Sequence, residues 1–176
     1  RGRLRFGMFN LFFISFYQNL IILLFTTPIL LAALHTGLPL GITDIVAALL
    51  MLTFLIIETV ADNQQFRFQT LKRSMTAEAD RFSESLRKGF LTEGLWKYVR
   101  HPNFASEQAI WISFYLFGVA ASGNWINFTL VGPVLLVLLF IGSSIMTEKI
   151  SSSKYPGYST CQKEVPKFIP RIFRRK

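Results

Sequence analysis

The chain has 176 residues, 51% of them hydrophobic and 15% aromatic, with only 16% charged and a formal net charge of +9. Together with a mean hydropathy of +0.39, this excludes an average soluble domain. A single cysteine, Cys161, excludes an internal disulfide framework and a Cys-rich metal site. No glycine-rich dinucleotide fingerprint, P-loop, nucleophile-elbow, zincin or Cys-x-x-Cys motif occurs, so any nucleotide cofactor must be held outside a Rossmann fold. The chain opens at Arg1 without a methionine; an upstream part is expected to be missing, and no signal or transit segment is argued.

Charge placement gives the organisation. Arg5 to Asp44 encloses 38 residues without formal charge, and Glu107 to Glu148 encloses 40. A helix of that second length reaches roughly 60 Å, about two hydrocarbon thicknesses, and Ser122-Gly123-Asn124-Trp125 is the natural turn within it. The expectation is an all-α polytopic transmembrane helix bundle of about four spans, near 9–34, 43–61, 108–122 and 126–147. The rest of this single membrane domain, residues 1–176, is a polar connector (62–107) and a basic tail (148–176). The 19 Lys and Arg fall as three in residues 1–5, eight in 67–100 and eight in 149–176. Four spans put all three basic segments on one membrane face, cytosolic or matrix, as the positive-inside pattern requires. That face meets anionic headgroups and not nucleic acid. The predicted location is a multi-pass protein of the endoplasmic reticulum in a eukaryote, or of an organelle inner membrane.

In the first span Gln18 and Asn19 lie near the middle, where an amide serves helix packing or lines a cavity, and Thr27-Pro28 predicts a kink. The second span runs without a breaker into Asp62-Asn63-Gln64-Gln65. Glu58, Asp62, Gln65 and Gln69 recur at i, i+4, i+7 and i+11 and share one helical face. Glu58 lies inside the apolar region, where a carboxylate faces a polar interior or an ion-pair partner such as Arg67 or Arg100. In the connector, Gly89 is placed to end a short helix.

The stretch from Gly94 to Glu107 packs Trp96, Tyr98, Arg100, His101, Asn103 and Glu107 against the mouth of an apolar helix. Pro102 fits the first turn of that helix, and Asn103, Glu107 and Trp111 follow on one face. Arg100 and His101, standing before a helix N-terminus, suit a phosphate or pyrophosphate. Trp96, Tyr98 and Trp111 offer flat surfaces for a ring, or anchor the interface. Span four carries Gly132-Pro133 and Gly142-Ser143-Ser144, small residues that predict close helix packing. It ends at Glu148, level with Glu58 and Glu107, and the three carboxylates together predict one polar pocket. The sequon at Asn127 sits almost in the membrane and is not expected to be glycosylated. In the tail, Lys154, Tyr155 and Tyr158 flank a Pro156-Gly157 turn and are placed to fold over the pocket.

Glu58-Thr-Val-Ala-Asp62, then Arg100-His101-Pro102-Asn103 with Glu107 downstream, then Glu148 and Lys154-Tyr155-Pro-Gly-Tyr158 ending in Phe168-Ile-Pro170 resemble, in order and over nearly the whole chain, the DUF1295 branch of the steroid 5-alpha-reductase-like membrane proteins. The Arg-His-Pro core is shared with isoprenylcysteine carboxyl methyltransferases. The resemblance implies an NADPH-dependent reductase of a conjugated double bond in a steroid-like or polyprenoid lipid, with hydride going to the beta carbon and a proton to the alpha carbon. Asp62, Asn103, Glu107 and Trp111 match cofactor-contacting positions of the reductases. Arg100, His101, Lys154, Tyr155 and Tyr158 are additional candidates, for phosphate and adenosine contacts. Glu58, Gln65, Trp96, Tyr98 and Glu148 would line the pocket. Phe104 and Ser106 stand where the common motif has Tyr and Gly, Gln69 where the 5-alpha-reductases tend to offer Arg, and the reductases' N-terminal substrate-pocket helices have no counterpart here. The alternatives are a non-catalytic structural subunit or lipid-binding scaffold of a larger membrane complex, and a methyltransferase using S-adenosylmethionine. The expected partners are membrane lipids, a lipophilic substrate and other subunits of such a complex.

Overall fold

A computed structural model describes residues 2–35, 39–74 and 82–171, with the side chains of 2–4 and 13–14 left aside. The middle of the connector and the terminal basic cluster Arg174–Lys176 lie outside the described residues. Every long element is helical: α1 (Gly2–Phe9), a π-helical turn (Asn10–Phe16), α2 (Tyr17–Thr26), α3 (Pro28–Leu34), α4 (Ile42–Ser74), α5 (Ser83–Lys88), α6 (Pro102–Ser122), α7 (Val131–Lys154) and α8 (Tyr158–Glu164). Among the described residues three stretches are long and apolar enough to cross a membrane: Arg5–Leu34, Ile42–Ser74 and Phe128–Lys154. They take in three of the four expected spans. The other expected span falls in α6, a 21-residue helix whose first turns carry Glu107 and Gln108.

Local chemistry explains the breaks. Pro28 has no N–H to donate, so α2 stops and α3 begins with Pro28 at its first position; Thr27 Oγ1 caps the end by donating to Leu24 O at 2.6 Å. Asp44 reaches back to the N–H of Gly41 at 2.8 Å and secures the start of α4. Nothing interrupts α4 for 33 residues, about 50 Å at the helical rise, so it carries its polar half well beyond the apolar one. Gly89 ends α5 in the left-handed region at φ 83°, its N–H closing on Ser85 O at 2.8 Å.

The sequence reads as one membrane domain, whereas internal contacts divide the chain into two compact units: Arg1–Met51 with Ile110–Leu139, and Leu52–Ala109 with Phe140–Lys176. In the first unit the rings of Phe25 and Trp111 meet at 4.0 Å between centroids. The sequon asparagine is a structural cap there: Asn127 Oδ1 accepts from Thr129 N at 3.0 Å and from Thr129 Oγ1 at 2.6 Å, and Thr129 is wholly buried. Of the two glycines at the small-residue sites in α7, Gly132 makes a close approach, while the second site packs through Ser144, which is wholly buried. A Cβ on Gly132 would stand 2.5 Å from the backbone of Leu24 and Phe25, while one on Gly142 would meet nothing. Gly132→Ala is therefore expected to cost about 1–3 kcal/mol through overpacking against immovable backbone. A lowered melting temperature in lipid nanodiscs would show it, with Gly142→Ala melting at or above the parent.

Candidate functional site

The candidate site lies within the second unit and is built on the polar half of α4. The segment after α5 turns back onto that helix. Leu95 N donates to Gln64 Oε1 at 2.9 Å, and Trp96 Nε1 to Ala61 O at 3.3 Å. Gly94 allows the approach: its φ is 62°, and a Cβ there would stand 2.5 Å from the Gln64 side chain. Phe68, Phe82 and Leu91 form a small buried core beneath, with Leu71, Leu86 and Trp96 packed on it. The chain then makes a 3-10 turn (Gly94–Lys97) and enters α6 at Pro102, with Ala105 N donating to His101 O at 3.0 Å.

Glu148, late in α7, is met by Arg100 and His101, which precede α6. Arg100 grips it with two nitrogens, Nε to Oε1 at 2.8 Å and Nη2 to Oε2 at 3.3 Å, and His101 Nε2 lies 3.0 Å from Oε1. Gln162 of α8 donates to Oε2 at 3.0 Å. Arg100 Nη1 donates to the carbonyls of Gln162 and Val165. The backbone repeats the link: Arg100 N donates to Pro166 O at 2.9 Å and His101 N to Lys167 O at 3.1 Å. The charged side chains are under a tenth exposed. Burial holds the His101 imidazole below its ordinary pKa, with its hydrogen bond to the Glu148 carboxylate pulling the other way.

A cavity of about 380 Å³ opens between these elements. Its wall includes Arg100, His101, Asn103, Lys154, Tyr155 and Tyr158 of the expected cofactor contacts, and Gln65 and Trp96 of the expected lining. Phe68, Phe90 and Phe104 supply further aromatic surface, and Gln69 adds an amide. At one end Tyr155 sits among lysines. Lys72 Nζ donates to its hydroxyl at 2.8 Å and to Gly89 O, and Lys154 Nζ stands 5.4 Å from its ring centre. The hydrogen bond from Lys72 holds this phenol below its ordinary pKa, whereas burial pushes Tyr158 up to about 12. Lys72 escapes a sequence reading because it looks like one more cation in a basic connector; only the fold sets it on Tyr155.

Several expectations change. Arg100 and His101 touch the cavity, but the Arg100 guanidinium is spent on Glu148 and two carbonyls, not held ready for a phosphate. Glu148 is accordingly the centre of a buried ion pair, away from the cavity wall. Arg100, named as a possible partner of Glu58, goes to Glu148; the Glu58 carboxyl instead meets Glu107 of α6. The three carboxylates thus divide between two settings and do not share one pocket. Asp62 is exposed on α4 and does not line this cavity. Tyr98 is 62% exposed and faces a separate open groove with Lys88 and Lys163. Trp111 belongs to the other unit, packed on Phe25.

A family model described as a protein of unknown function (DUF1295) matches residues 3–165. The chain belongs to the DUF1295 family. It is 37% identical over 172 residues to an uncharacterized protein of Schizosaccharomyces pombe, an alignment that takes in 94% of this chain and 50% of that protein. The chain thus spans about half the length of this curated relative. No solved structure matches it. The DUF1295 match takes in every residue of the cavity wall and stops just short of Pro166 and Lys167, which close the backbone link to Arg100 and His101.

Removing one partner of a buried pair strands the other, typically at about 3–5 kcal/mol. Glu148→Ala is expected to destabilise the protein by that order, read as lost secondary structure at lower temperature by circular dichroism, and Arg100→Met with Glu148→Leu together to cost less than Glu148→Ala alone. A second expectation concerns pH. With the folded pKa of His101 below its unfolded value of about 6.5, the unfolded chain takes up the proton first, so His101 makes no difference at higher pH and opposes folding as pH falls through that value. Melting temperature should drop between pH 7.5 and 6, and less in His101→Gln.

Proposed function

We propose that this chain provides the cofactor-binding part of a membrane oxidoreductase that takes NADPH and reduces a conjugated C=C bond in a lipophilic substrate such as a steroid-like or polyprenoid lipid. The reading is carried by one observation: a single cavity combines flat aromatic walls, hydrogen-bonding amides and a cationic end. Its volume lies in the range of small-molecule pockets, roughly 300–1,000 Å³. The chemistry of the wall fits the group. Trp96, Phe68 and Phe104 suit a planar ring, while Lys154, with Tyr155 and Lys72 beside it, suits phosphate oxygens. Gln65, Gln69 and Asn103 add amide side chains to the same wall.

Bound there, the reduced nicotinamide would supply the hydride. The chain's own residues bind, orient and exclude water. Lys72 keeps the Tyr155 hydroxyl pointed and polarised at the cationic end, and the buried Arg100–Glu148 pair fixes the start of α6, from which Asn103 projects. The resemblance to the 5-alpha-reductase-like proteins supports the same assignment, with the membrane of the endoplasmic reticulum or an organelle as its setting. A second reading is favoured by the internal engagement of Arg100, His101 and Glu148: the fold serves as a non-catalytic scaffold within a larger membrane complex, and the motif survives because it holds the fold together.

Titration of the nanodisc-embedded protein with NADPH and with S-adenosylmethionine, followed by calorimetry, separates these. Binding of NADPH that weakens about tenfold in Lys154→Ala and in Lys72→Ala, each loss near 1.4 kcal/mol, supports the reductase reading. Binding of S-adenosylmethionine alone would replace it with a methyltransferase, and binding of neither would leave the scaffold.

A further inference from the structure

A different face of α4 carries a second, smaller pocket. It encloses about 270 Å³ and is lined by Val60, Asn63 and Arg67 along the helix, with Phe82 and Glu93 from the segment folded back on it. Its two charged groups do not meet. Glu93 Oε2 accepts from Ser85 Oγ at 2.7 Å, but neither Glu93 nor Arg67 belongs to any ion pair among the described residues. A cation and an acid in one small pocket, too far apart to join, leave room between them for a ligand that carries both signs. Arg67 is exposed and Glu93 half-buried, so such a ligand reaches both.

Depth along α4 points to the source of that ligand. The mainly apolar run from Ile42 to Ala61 rises about 30 Å, the thickness of a hydrocarbon core. Val60, 41% exposed, therefore stands at the hydrocarbon edge. Asn63 falls within the headgroup layer, about 5–8 Å deep on each side. Arg67, about 9 Å beyond Ala61, lies at the outer margin of that layer, where a long arginine side chain reaches back to phosphate oxygens. Phe66 beside it is 71% exposed, as suits an aromatic residue at the interface. Apolar, amide and cation thus follow one another along the wall as acyl chain, glycerol ester and phosphate do in a phospholipid. Glu93 adds a requirement. A primary ammonium brings three N–H donors to a carboxylate, and a quaternary choline brings none. We infer that this pocket holds the headgroup of a phosphatidylethanolamine of the surrounding membrane, with the phosphate on Arg67 and the ammonium on Glu93. The inference rests on the membrane setting of α4 and is independent of the cofactor reading.

The test offers the whole chain, purified in detergent, an equimolar mixture of dioleoyl phosphatidylethanolamine, phosphatidylcholine and phosphatidylglycerol, and reads the retained lipid by native mass spectrometry. Phosphatidylethanolamine is expected to be retained at least about tenfold over phosphatidylcholine, as a site built to receive N–H donors rejects a partner lacking them. Arg67→Gln should lower that retention about tenfold, and Arg67→Lys, which keeps the charge, should lose less. In Glu93→Gln, which keeps an acceptor for Ser85 Oγ and so the local fold, the two lipids should come within about threefold of each other. Equal retention of these two lipids by the parent protein overturns the inference, as does a preference that survives both Arg67→Gln and Glu93→Gln. Preferred retention of phosphatidylglycerol also overturns it and leaves Arg67 as a plain contact for anionic lipid. Glycerophosphoethanolamine, which has the headgroup without acyl chains, should not displace the lipid when added in excess; displacement would assign the pocket to a soluble compound and overturn the membrane source.

Discussion

Glu148 withdraws two charged or chargeable partners from water at once. Arg100 forks onto it, His101 approaches the same oxygen, and Gln162 completes the other side. A carboxylate with this little exposure survives only where its lone pairs are filled. Filling them draws α7, α8 and the residues just before α6 into one knot, and the carbonyl of Val165 on Arg100 draws in the segment after α8. The start of α6 is set by that knot, because Arg100 and His101 are the residues just before Pro102. Asn103 and Phe104, in the first turn of α6, inherit their place in the cavity wall from it.

Above this knot the second unit works by a different logic. Aromatic rings close the cavity without consuming polar groups: Phe90 meets Tyr158 edge-on at 5.0 Å, and His101 stacks on Phe104 at 5.3 Å. The polar groups left over are the ones a ligand can use. The Tyr155 hydroxyl is held by Lys72, and a Cβ on Gly89 would stand 2.7 Å from the Tyr155 ring, so the backbone there lies close enough to keep the tyrosine in position. Helix surfaces elsewhere are richly apolar and exposed, as at Leu23, Ile45, Leu49 and Leu138. Water would penalise such surfaces and hydrocarbon does not, so a lipid setting suits the long helices and the polar chemistry collects beyond their apolar parts.

Several local features were legible because their causes are local. Pro28 and Gly89 end their helices through missing or left-handed backbone geometry, and both are visible as letters. The uninterrupted run of α4 follows from the lack of a breaker after Ala61. Asn103 stands out by its place in the Arg-His-Pro motif, Lys154 and Tyr155 by charge and location, and the fold brings the three to one cavity. Trp111, chosen by helical spacing, packs on Phe25 in the other unit, since a shared helical face says nothing about what that face meets. Lys72 had no signal at all: its chemistry depends on a tyrosine 83 positions away.

The sequence by itself determined an all-α chain, its long apolar helices, the polar continuation of α4 and the family to which it belongs. Periodicity, breakers and ordered motifs are properties of neighbouring residues, and the chain states them directly. Only the tertiary structure decided which carboxylate met which cation. Arg100 is 48 positions from Glu148, and at that separation charge alone favours no one acid over another. Packing chooses among them. It gave Arg100 to Glu148 and left Glu58 to Glu107.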